Sequence, residues 1–120
     1  MEKEELKRRT KEFALRVIKA VNALPPTTAG KAIGNQMMRS GTSVAANYRA
    51  VCRARSTAEF IAKLGTVIEE ADETAFWLEL IIESKLLNAE SLNQLLKETN
   101  EIISIMVSAK ITTQNKLNRK

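Results

Sequence analysis

Apolar residues in this chain return every three or four positions, the spacing that places them on one face of an α-helix. The first such stretch runs from about Glu4 to Leu24, with Leu6, Phe13, Val17, Ala20 and Leu24 on a common face. Pro25-Pro26 ends it, because proline has no amide hydrogen to donate and drives the residue before it out of helical geometry. A second stretch runs from Thr28, the expected N-cap, to about Arg53, with Ile33, Met37, Val44, Tyr48 and Val51 as its stripe. Ser56 and Glu59 have the spacing of a capping box and open a third helix that reaches about Lys85. Along it Phe60, Leu64, Val67, Ala71, Thr74, Leu78 and Ile81 alternate four and three apart, the seam of a helical bundle. Asn88 is placed to cap a fourth helix, faced by Leu92, Leu95, Thr99, Ile102 and Met106. Four helices of similar length with tight connections predict an all-α fold, an antiparallel up-down-up-down four-helix bundle. The bundle takes residues 1–113, and a polar, basic tail at 114–120 is expected to fray.

The second helix has two further sets of residues. Gly30 and Gly34, then Gly41 and Ala45, are small residues four apart. Each glycine costs a helix about 1 kcal/mol against alanine, so three in one helix imply that a neighbouring backbone comes close. Ser40, Ser43 and Asn47 step by three and four at the edge of the apolar stripe, beside Arg39. Buried polar groups need partners, so this set is expected to be structural, making interhelical hydrogen bonds that fix register.

Composition narrows the picture further. A chain of 120 residues has room for one domain and one core. Aromatics are 4%, which leaves Leu, Ile, Val, Met and Ala to build that core. With 4 Gly and 2 Pro there is too little turn punctuation for an all-β fold. Cys52 is the single cysteine and cannot form an intrachain disulfide; with no segment resembling a signal peptide, the expected compartment is the cytoplasm. No apolar run approaches the roughly 20 residues of a membrane span.

Two surfaces depart from an ordinary bundle. In Phe76-Trp77-Leu78-Glu79-Leu80-Ile81-Ile82 only Glu79 is polar. Val67 and Phe76 lie about 180° apart at 100° per residue, so if Val67 faces the core Phe76 faces away from it, with Leu80 near and Trp77 on the flank. These side chains either cover one end of the core or meet another subunit. A monomer of this size has nothing left to cover a second apolar face, which favours a homo-oligomer held by Phe76, Trp77 and Leu80. Charge is segregated as well. Between Phe13 and Ala58 the charged residues are Arg16, Lys19, Lys31, Arg39, Arg49, Arg53 and Arg55, all basic, whereas the third helix is mainly acidic. Lys31, Arg39, Arg49 and Arg53 fall in an arc of about 80° on the second helix. Such a stripe suits phosphate backbones of RNA or DNA; the other reading is a solvated face, or one that pairs with the acidic helix of a neighbouring subunit.

Catalytic chemistry finds no support. Histidine is absent, which removes the commonest general base and the commonest metal ligand. Glu69, Glu70, Asp72 and Glu73 invite a carboxylate-metal reading, but di-iron bundles require Glu-x-x-His on facing helices. Cys52 has no activating histidine and reads as a small buried hydrophobe. Ser40, Thr42 and Ser43 have no base, and Gly30 and Gly34 lack the Lys-Ser/Thr of a phosphate-binding loop. The expectation is a protein that is not an enzyme and carries no metal or cofactor.

The run Arg39-Ser40-Gly41-Thr42-Ser43-Val44-Ala45-Ala46-Asn47-Tyr48, followed by Ser56 and Glu59-Phe60, resembles the four helix bundle protein family, also called 23S rRNA-intervening sequence proteins. The resemblance covers nearly the whole chain. Many members place an acidic residue three positions after the Asn, where this chain has Ala50, so no role of that acid carries over. The resemblance implies a pentamer of four-helix protomers. The family name records genes that lie inside ribosomal RNA genes and is not an activity. The expected fold is also similar to the accessory protein of diversity-generating retroelements, a basic pentamer that contacts nucleic acid and a nucleic-acid enzyme, the reverse transcriptase.

Overall fold

The computed structural model of the protein describes residues 2–88 and 90–119. They form four helices: α1 (Lys3–Asn22), α2 (Thr28–Cys52), α3 (Thr57–Glu83) and α4 (Glu90–Asn118). Each helix packs on its neighbours in sequence and α1 also meets α4, while among the described residues the backbones of the two diagonal pairs do not come close. This is the antiparallel up-down bundle that the apolar spacing predicts. It measures 53 × 22 × 20 Å.

The predicted stripes meet in the interior. Phe13 and Val17 of α1, Met37 and Val44 of α2, Leu64, Val67, Leu78 and Ile81 of α3, and Ile102 and Met106 of α4 are all fully buried. Ala20, Leu24, Ile33 and Phe60, at the ends of the stripes, are partly buried against that core.

Helix ends differ from the expectation in informative ways. α1 stops at Asn22: the amides of Ala23 and Leu24 bond back to Ala20 and Val21, so the chain tightens into i→i+3 turns before reaching Pro25. The cap of α2 is Thr27 rather than Thr28, because a cap oxygen must reach the amide of its third helical residue, and Thr27 accepts from Gly30 N at 3.0 Å. At α3, Ser56 accepts from Glu59 N at 3.0 Å, while the Glu59 carboxylate takes the amide of Arg55 at 3.0 Å. α3 ends at Glu83. Lys85 follows with φ 59°, and the amide of Leu86 bonds back to Ile81 O at 3.1 Å. That is the closing bond of a Schellman motif, made here without the usual glycine. Asn88 stands two positions before the first residue of α4, and Ala89 lies outside the described residues. Residues 114–118, expected to fray, continue α4 to Asn118.

Gly41 carries the close approach of α1 and α2. A Cβ there would lie 2.5 Å and 2.8 Å from the two methyl carbons of Val17, closer than carbon atoms pack.

Candidate functional site

The polar set of α2 divides by partner. Ser40 and Thr74 are both fully buried, and their hydroxyls lie 2.8 Å apart across the α2–α3 interface. Thr74 donates its one hydrogen to Glu70 O at 2.8 Å, so Ser40 donates to Thr74; its other acceptor, Met37 O, is longer at 3.4 Å. Asn47 instead bonds its own helix, donating to Ser43 O at 2.8 Å. Ser40 therefore ties α2 to α3, whereas Asn47 satisfies itself one turn back.

Arg39 also reaches α3. Its guanidinium donates to Glu70 at 3.0 Å and to Glu73, and the same Glu73 carboxylate accepts from the indole nitrogen of Trp77 at 3.1 Å. Arg39, followed by Trp77, holds the Glu73 carboxyl below its ordinary value. The Trp77 ring in turn meets Phe76 edge-on, with centroids 5.1 Å apart. A basic residue of α2 thus sets the orientation of the aromatic pair on α3. Phe76 is 49% exposed, and Trp77 and Leu80 are half-buried. Val67 on the opposite side of α3 is fully buried, so the two-sided apolar character read from the sequence is present. Leu15 of α1, 58% exposed, lies off the predicted helix stripe, between Ala14 and Arg16.

The four basic residues of the α2 arc do not share one environment. Arg39 is engaged by Glu70 and Glu73, whereas Lys31, Arg49 and Arg53 are exposed and have no ion-pair partner among the described residues. Glu70 and Glu73 of the acidic cluster are thus engaged by Arg39, and among the described residues no group of three or more acidic or cysteine side chains could hold a metal ion. Cys52 is half-buried next to Tyr48, whose phenol is pushed up first by burial and then by Cys52. No helix among the described residues is long and apolar enough to cross a membrane.

The architecture is a four-helix module with Phe76 exposed on α3 and basic residues exposed along α2. The chain belongs to the 23S rRNA-intervening sequence protein family, whose model matches residues 2–108. It is similar in structure to a protein of unknown function from the S23 ribosomal protein family of Bacteroides thetaiotaomicron, with a TM-score of 0.84 and 33% identity over 92% of this chain and 98% of that one. No curated protein matches it.

Proposed function

We propose that the protein is a non-catalytic, homo-oligomeric binding module of the cytoplasm that contacts nucleic acid through the basic residues of α2. The observation that carries this reading is the state of Arg49 and Arg53, the latter the C-cap of α2: exposed, four positions apart, and without an acidic partner among the described residues. Surface arginines in that condition attract phosphate, and the contacts are sequence-tolerant because a phosphate carries no base identity. Lys31 stands far along α2 from that pair, and Arg39 serves as the tie to α3. Assembly through Phe76, Trp77 and Leu80, as the pentamer implied by the family resemblance, repeats the arginines around the particle and raises avidity over one protomer.

The alternative, a protein-binding assembly factor with no nucleic-acid contact, draws on the exposed Leu15, Phe76, Ile111 and Leu117. One pair of measurements separates the two. Sedimentation equilibrium of the wild type gives an oligomer, and Trp77→Glu shifts it to smaller species, since an unpaired charge buried at an interface costs several kcal/mol. In electrophoretic retention, Arg49→Ala with Arg53→Ala keeps the oligomer and loses RNA or DNA. A wild type that ignores both nucleic acids at low salt selects the assembly-factor reading, and a stable monomer at micromolar concentration removes the oligomer.

A further inference from the structure

Two surface grooves meet along the C-terminal half of α2. One, of about 570 Å³, lies between α1 and α2 and is lined by Glu4, Lys7, Arg8, Lys11, Ala46 and Arg49 among others. The second, of about 440 Å³, lies between α2 and α3; it shares Ala46 and Arg49 and adds Ala50, Arg53, Arg55 and Lys63 beside Glu59. The two acids that line these grooves have local employment. Glu4 stands in the first turn of α1 and pairs with Lys7 at 3.8 Å. Glu59 takes the amide of Arg55 and pairs with Lys63 at 3.8 Å. Both are where a helix N-terminus favours negative charge. Arg8, Lys11, Arg49, Arg53 and Arg55 remain, all exposed and without an ion pair among the described residues. Lys31, by contrast, stands eighteen residues before Arg49, roughly 27 Å along the helix at 1.5 Å per residue.

We propose that this end of the bundle is a clamp for the phosphate backbones of a double-stranded nucleic acid, in which Arg8 and Lys11 of α1 and Arg55 of the α2–α3 connection act with Arg49 and Arg53. The inference rests on the nucleic-acid reading above and replaces a lengthwise stripe on one helix by a patch across three. Along α2 the order Ala46, Arg49, Ala50, Arg53 alternates methyl groups with guanidinium groups. The alanines leave floors where a sugar–phosphate strand can sink beside the helix, and the arginines form the ridge between. The two grooves share the wall formed by Ala46 and Arg49, so cations on either side of α2 can meet the two backbones that border a duplex groove. Stacking of unpaired bases has no platform here: Tyr48 is buried, Phe60 is half-buried, and the exposed Phe76 lies more than four turns along α3 from the clamp.

The test follows salt dependence of binding by fluorescence anisotropy. Its probes are duplex DNA and duplex RNA of about a dozen base pairs, and a single strand of the same length. Wild type is compared with Arg8→Ala/Lys11→Ala, with Arg49→Ala/Arg53→Ala and with Lys31→Ala, each checked for fold by circular dichroism and for assembly by sedimentation. Five neutralised phosphates make wild-type affinity fall about 500-fold between roughly 50 and 200 mM salt, and loss of Arg8 and Lys11 reduces that fall to about 40-fold. Lys31→Ala leaves affinity within about twofold, and duplex of either sugar binds more tightly than the single strand. The clamp is overturned if wild type and the Arg49/Arg53 variant behave as expected but Arg8→Ala/Lys11→Ala is silent, or Lys31→Ala is as damaging, or the single strand binds as tightly. In those cases the helix-two reading survives. A wild type that binds none of the probes at low salt removes both.

Discussion

At the scale of single residues, the same amino acid does opposite work at different sites. Gly41 is pressed against Val17, so Gly41→Ala must displace a packed β-branched side chain; the expected loss is about 1–3 kcal/mol despite alanine's better helix propensity. At Gly65 the nearest atom to an added Cβ is the mobile ammonium of Lys110, at 3.4 Å. Gly65→Ala should therefore gain stability, by up to about 1 kcal/mol. Urea unfolding of the two variants, which should move in opposite directions, measures both. Small residues four apart announced a close approach of helices in the sequence. Which glycine carried it was not readable, because that depends on the side chain the partner helix presents. Arg39 shows the same limit. Plotted on its own helix it joins Lys31, Arg49 and Arg53, and only the phase of α3 reveals that Glu70 and Glu73 stand opposite it.

At the scale of elements, the stripes were legible because burial acts on every turn of a helix, and the period survives local exceptions. Ends were less legible, since a few hydrogen bonds decide each of them. Thr27 and Thr28 are equally good caps by type, and the choice falls to the one whose oxygen reaches Gly30 N. The end of α3 places Lys85 in the left-handed region, which costs a side-chain-bearing residue roughly 1–2 kcal/mol relative to glycine. Lys85→Gly should therefore raise stability by about 1 kcal/mol with no change in fold, seen as a higher urea midpoint at constant slope.

Across the whole molecule, the α1–α4 seam is the thinnest of the four helix contacts, and a cluster around Arg9 bridges it. Arg9 donates to both carboxylate oxygens of Glu98, at 2.7 and 2.6 Å, and to Glu101 at 3.2 Å. The Arg9 hydrogen bond, against the opposing effect of burial, holds the Glu98 carboxyl below its ordinary value of 4.5. A carboxyl lowered in the folded state contributes stability above its unfolded value and loses it as pH falls through the folded one. Thermal stability should thus decline as pH drops below about 4.5, and Glu73, lowered by Arg39, adds to the decline with the same sign. Arg9→Ala should cost about 1–2 kcal/mol at neutral pH and flatten the acid limb, which melting curves across pH 3–7 record as approximate bounds.

The basic end of the bundle carries one more implication. The N-terminal turns of α1 and the connection between α2 and α3 lie together there, so each protomer has a positive pole. Cyclic symmetry keeps all copies pointing the same way, whereas dihedral symmetry turns half of them over. In a cyclic particle every positive pole falls on one rim. With bundle axes along the symmetry axis, such a particle would turn one charged side to a polyanion and leave its other surface free.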